Sequence, residues 1–93
     1  MAERQVRVVI SGKVQGVWFR AWTREQAVQL GLDGWVRNRR DGSVEAVFSG
    51  APEAVESMLT ACRAGPARAE VNDVAVSAWD EAVEPGFRQL PTV

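Results

Sequence analysis

The chain contains no histidine and a single cysteine, Cys62, among its 93 residues. Without imidazole, the commonest general base, metal ligand and near-neutral proton shuttle are all missing, and Ser-His-Asp and Cys-His catalysis are excluded with them. One thiol cannot form an internal disulfide or a CxxC zinc or redox site. No apolar run approaches the ~18 residues of a membrane span, and the start Met1-Ala2-Glu3-Arg4-Gln5 lacks the apolar stretch of a signal peptide. The expectation is a cytoplasmic protein with no membrane association. Lysine is nearly absent too, since ten of the eleven cations are arginine and Lys13 is the exception. Against twelve acids the formal charge is −1, which gives no support to a general nucleic-acid binder, a class more often basic.

What is present suits one globular unit. With 46% apolar and 25% charged residues the composition matches an ordinary folded domain. A chain of this size has room for one core and buries roughly 60–70% of its unfolded surface. A single domain over residues 1–93, working as a monomer, is the expectation.

Gln5 to Ser11 alternates Val6, Val8 and Ile10 against Arg7, Val9 and Ser11, the period of a half-buried strand. A glycine-containing loop, Gly12 to Trp18, leads to a helix over Phe19 to Leu30, with Phe19, Thr23, Ala27 and Leu30 on one stripe and Gly31 as a left-handed C-cap. Gly34 to Arg39 and Ser43 to Ser49 read as strands joined by a hairpin at Asp41-Gly42. Pro52 opens a second helix to about Arg63, whose buried stripe is Val55, Met58, Leu59 and Cys62. Ala67 to Trp79 is a fourth strand with a bend or bulge at Asn72-Asp73, and Phe87 to Leu90 a short fifth, halted by Pro91. The order β-α-β-β-α-β plus an edge strand specifies an α+β, ferredoxin-like sandwich with two helices on one face of an antiparallel sheet.

Two segments carry candidate chemistry. Gly12-Lys13-Val14-Gln15-Gly16-Val17-Trp18-Phe19-Arg20 joins a strand to a helix N-terminus, where unpaired backbone N–H groups and partial positive charge favour an anion. Arg20 would bring a two-pronged donor to the same place. The same residues also suit an ordinary strand-to-helix turn with a solvated arginine, and the glycine spacing is not that of a Walker loop. In Gly34-Trp35-Val36-Arg37-Asn38-Arg39-Arg40-Asp41-Gly42, strand alternation points Asn38 the same way as Val36, with Trp35, Arg37 and Arg39 opposite. Asparagine is depleted in strands. Were this strand to lie beside the first, Asn38 would stand near the cradle.

Gly12-x-Val14-Gln15-Gly16-Val17-x-Phe19-Arg20 resembles the first signature of the acylphosphatase family, and Gly34-Trp35-Val36-Arg37-Asn38-x-x-x-Gly42-x-Val44, with Gly50 beyond it, resembles the second. The resemblance implies hydrolysis of the carboxyl–phosphate bond of small-molecule acyl phosphates, without cofactor or metal, and inorganic phosphate as product and competitive inhibitor. It makes Arg20 the phosphate-binding arginine and Asn38 the water-orienting asparagine, with cradle amides from Gln15, Gly16, Val17, Trp18, Phe19 and Arg20. One departure is the ending Leu90-Pro91-Thr92-Val93, where relatives often carry a basic-aromatic pair. The missing histidine is no obstacle, because a carboxylate leaving group needs no general acid and positioning with charge stabilisation supplies most of phosphoryl-transfer catalysis.

A rival reading on the same fold is a non-catalytic binder of phosphorylated ligands or RNA using Arg37, Arg39, Arg40, Trp18 and Trp22. Cys62, Trp35 and Trp79 read as packing residues, and Trp18 as flanking the pocket mouth. Asp41 and Glu45 read as solvated carboxylates, and Arg39 and Arg40 as a solvated face.

Overall fold

The computed structural model describes residues 3–93. Seven elements follow the expected order: β1 (Arg4–Lys13), α1 (Phe19–Gln29), β2 (Asp33–Asn38), β3 (Val44–Gly50), α2 (Pro52–Ala64), β4 (Glu70–Ala78) and β5 (Phe87–Gln89). The alternation in β1 buries Val6, Val8 and Ile10 against one side of the sheet. On that side they meet Phe19 and Ala27 of α1 and Val55, Met58, Leu59 and Cys62 of α2, so that both helices cover one face. α1 lies over β2 and β5, and α2 over β1 and β4. Burial pushes the Cys62 thiol up to about 12, with Arg63 opposing slightly, so the residue packs and does not react.

The ends of the elements follow from local chemistry. Past α1, Gly31 adopts φ 71° and donates to the Val28 carbonyl at 3.1 Å, while Leu32 donates to Ala27 at 2.9 Å, the paired bonds of a Schellman stop. β4 begins three residues later than the pattern suggests because Pro66 to Ala69 close a turn, Ala69 N–H donating to the Pro66 carbonyl. Pairing with β1 slips between Ser11 and Gly12, which leaves Asn72 as the expected bulge. Gly12 sits at this slip at φ 123°, where a Cβ would run into the Glu70 carbonyl. At the β2–β3 hairpin, Gly42 N–H closes a turn on the Arg39 carbonyl, and the Asp41 carboxylate accepts from the Ser43 hydroxyl at 2.6 Å and amide at 2.9 Å. Those bonds, the hydroxyl first, hold the exposed Asp41 below its ordinary pKa.

Three expectations are corrected. The sheet order is β4-β1-β3-β2-β5, so β3 separates β1 from β2. The sheet is also mixed: β5 joins β2 in parallel, with Gly34 beside Phe87 and Val36 beside Gln89. β5 itself ends at Gln89, before Pro91 as expected, and the chain beyond returns to β2, where Val93 N–H donates to the Asn38 carbonyl at 3.1 Å and Arg40 N–H to the main-chain oxygen of Val93 at 2.7 Å.

The third correction concerns Glu45, which is buried on the sheet face away from the helices. Its two carboxylate oxygens accept from Arg7 Nε and Arg37 Nε, each at 2.7 Å. Burial alone would raise the Glu45 pKa, but the hydrogen bonds from Arg37 and Arg7 and their charges outweigh it and hold the carboxyl below its ordinary 4.5. Arg37 also stacks over Trp35 at 4.6 Å, and Trp35 meets Trp79 edge-on at 6.1 Å. That face is therefore a packed aromatic and ionic layer.

A depressed pKa means that the ionised carboxyl contributes stability above its unfolded value and loses it as pH falls through the folded one. Glu45→Gln should lower unfolding stability at pH 7 by about 1–3 kcal/mol. The deficit should shrink as pH falls below the ordinary 4.5, where the unfolded chain protonates first, and on through the lowered value of the folded carboxyl. Urea titrations at pH 7 and pH 3 check this, and an equal deficit at both would rule out the charge-assisted account.

Candidate active site

The cradle is built by the loop between β1 and α1. Gly16 has φ 72° and Trp18 φ 67°, with Val17 between them in ordinary negative-φ backbone. A turn that passes through left-handed residues can bring successive N–H groups toward a common concavity, a nest suited to an anion. Trp18 is the one non-glycine residue at positive φ among those described, and its side chain is 79% exposed, so the conformation is a backbone requirement rather than a packing one. It is also the N-cap of α1, where it makes no side-chain cap, and the first turn carries no acid. Among the described residues, none of the loop and cap backbone hydrogen bonds is donated by residues 16–21. Their donors and the positive end of the helix dipole are left for a ligand.

One cavity of about 350 Å³ opens over this loop. Of the residues expected at the site, Gln15, Gly16, Trp18, Phe19, Arg20 and Asn38 line it. Val17 does not. Its side chain turns into the core, 6% exposed, which leaves its backbone as the only part available to the cradle. Arg20 forms no ion pair among the described residues, whereas Arg4, Arg7, Arg37, Arg39 and Arg88 each lie within 4 Å of a carboxylate. Its guanidinium is therefore not committed to an internal acid.

Asn38 reaches the same cavity although β3 intervenes between its strand and β1. The link is the Gln15 carboxamide, whose Nε2 donates to the Arg39 carbonyl at 2.7 Å and to the Ser43 carbonyl at 2.9 Å. The loop thus crosses the end of β3 and is pinned to both sides of the β2–β3 hairpin, next to Asn38. Asn38 itself pairs with Val44 on one side and accepts from Val93 on the other, so its backbone is held across both edges of β2.

A family model described as acylphosphatase matches residues 6–89. The chain belongs to the acylphosphatase family. An acylphosphatase of Rhodospirillum rubrum is 58% identical over 86 residues, covering 92% of this chain and 94% of the relative. One from Rhizorhabdus wittichii is 56% identical over 87 residues, covering 94% and 88%. The solved structure of an acylphosphatase from Coxiella burnetii superposes with a TM-score of 0.91 at 35% identity, over 95% of this chain and 93% of that one.

The two signature segments line one cavity, and three further lining residues lay outside the expected site: Val14, Ala21 and Gln89. Val14 was visible as a motif position without an assigned role. Ala21 follows Arg20 by one residue and needed only the helix start to place it. Gln89 carried no local signal, since it reaches the cavity only through the parallel pairing of β5. Of the rival binding surface, Arg37, Arg39 and Arg40 line one cavity together, but Trp18 lines a different one, Trp22 packs edge-on against Phe19 at 5.3 Å, and Arg37 is engaged with Glu45 and Trp35.

Gln15→Leu keeps the size of the side chain and removes both donors, leaving two part-buried carbonyls without that partner. It should cost about 1–3 kcal/mol in urea unfolding. An unchanged midpoint would show that the clamp contributes nothing.

Proposed function

We propose that this cavity carries out the family's reaction, hydrolysis of acyl phosphates, with Arg20 and the loop amides holding the phosphoryl group and Asn38 holding the attacking water. The observation that supports it most directly is that Gly16, Trp18, Phe19, Arg20, Ala21 and Asn38 line one cavity, where residues 16–21 donate none of the loop and cap backbone bonds and Arg20 has no ion pair among the described residues. Arg20 and the nest match the charge that spreads over the equatorial oxygens in a loose transition state, and these donors are in place before the substrate arrives. The Asn38 side chain accepts one hydrogen from water through Oδ1 and donates through Nδ2 to a phosphoryl oxygen.

Water oxygen forms a bond to phosphorus as the bond from phosphorus to the acyl oxygen breaks. The electron pair of that bond leaves with the carboxylate, which is stable as an anion near neutral pH. The proton of the attacking water passes to a phosphoryl oxygen of the substrate, so no protein base titrates during the step. Inorganic phosphate, the second product, occupies the cradle it leaves and competes with substrate. Every group comes from one chain, so the site is complete in a monomer.

Loss of an oriented charge-stabilising donor costs about 10²–10³ in rate. Arg20→Ala should lose turnover of benzoyl phosphate on that scale and weaken inhibition by phosphate, and Arg20→Lys should not restore it, since a point charge lacks the fork. Asn38→Ala should lose turnover while phosphate inhibition is kept, and normal turnover in that variant would remove Asn38 from the step. No group of three or more Cys, Asp or Glu side chains suited to a metal occurs among the described residues. Activity unchanged by EDTA is the corresponding outcome, and inhibition reversed by added Mg²⁺ would contradict it.

A further inference from the structure

We infer that Gln89 is a second water-holding residue of this site, so that two carboxamides, not one, aim the nucleophile. The inference rests on the role proposed for Asn38. Gln89 is two residues past Phe87, and the period of a strand puts both side chains on the face toward the helices, where Phe87 is buried beside Phe48. The parallel register places Gln89 beside Val36, whose side chain shares its face with Asn38 two residues on. With strands ~4.8 Å apart, a glutamine on β5 and an asparagine on β2 overhang the same ground, and both line the cavity that Arg20 and Ala21 line from α1.

β5 is held firmly in that position. Leu90 N–H donates to the Val36 carbonyl at 2.8 Å, and Arg24 of α1 reaches the Phe87 carbonyl with Nε at 3.3 Å. The Gln89 carboxamide itself makes no hydrogen bond among the described residues, and neither does that of Asn38. The other glutamine of the cavity differs, since the Gln15 amide nitrogen is engaged by two carbonyls.

A water held by Asn38 through one hydrogen still rotates about that bond. Accepting its second hydrogen on Gln89 Oε1 fixes the molecule and directs a lone pair at phosphorus, and orientation of this kind is a principal source of rate when no base is present. Gln89 neither gains nor loses a proton: both carboxamides hold the water's hydrogens during the approach, and once the new bond to phosphorus has formed one hydrogen leaves Gln89 Oε1 for a phosphoryl oxygen, so the balance of the step is unchanged.

The test uses the full chain with acetyl phosphate and benzoyl phosphate, in Gln89→Met, Asn38→Ala and the double variant. Gln89 is exposed, and methionine preserves its length, so the fold is retained; thermal melts of all variants verify this. Gln89→Met should lower kcat about tenfold, the scale of one neutral hydrogen bond. The loss should be equal for the two substrates, with KM and phosphate inhibition within twofold. In the Asn38→Ala background the same change should alter the residual rate less than twofold, because the shared water is already lost. Normal kcat in Gln89→Met, a loss confined to one substrate or to KM, or fully multiplicative effects in the double variant would each overturn the assignment to water. Normal turnover in Asn38→Ala would instead overturn the reading on which it rests.

Discussion

The proposed site depends on one side chain, Gln15, whose donors go to main chain. The anion cradle grows out of β1 and Asn38 out of β2, and the sheet order inserts β3 between them. Two hydrogen bonds from Gln15 to the carbonyls on either side of the hairpin carry the loop across that gap. A carboxamide nitrogen has two donors, and here both are used on backbone, so the distance between cradle and asparagine is set by main chain on both sides. A shift of even 1 Å between phosphate and water can cost on the order of 10²-fold in rate, which is why rigid main chain is the right material for this link.

The distribution of charge follows the same division. Glu45 sits at the centre of the open face and binds Arg7 and Arg37, so two of the arginines are spent on holding β1, β3 and β2 together from the side away from the helices. Arg20, on the helix side, has no such acid among the described residues. With no histidine in the chain, the site has no side chain that ordinarily titrates near neutrality. In the proposed reaction, fixed positive charge and oriented dipoles replace acid–base chemistry, and an acyl phosphate allows this because its leaving group is already a stable anion.

Much of this was legible in the chain itself. Val6, Val8 and Ile10 had to face the helices once β1 was a strand, and Phe19, Thr23 and Ala27 had to face the sheet once α1 was a helix, because the periods of the two structures admit no other arrangement. Gly16 and Arg20 were placed by the logic of a helix N-terminus. Glu45 was misjudged because its alternation with Val44 and Ala46 points it away from the helices, and in a two-layer fold that face normally meets water. Only the assembled sheet shows Arg7 and Arg37 closing over it from the strands on either side.

By itself, then, the sequence determined the elements, the side that each residue presents, and the two short segments that meet at the cavity, all of which depend on interactions within a few residues. Strand order, the parallel seat of β5, the return of Val93 to Asn38 and the arrival of Gln89 at the cavity were decided by tertiary structure. Those features pair residues as far apart in the chain as Val6 and Ala78, and a strand's own pattern of apolar residues records which face is buried but not which neighbour it will bond.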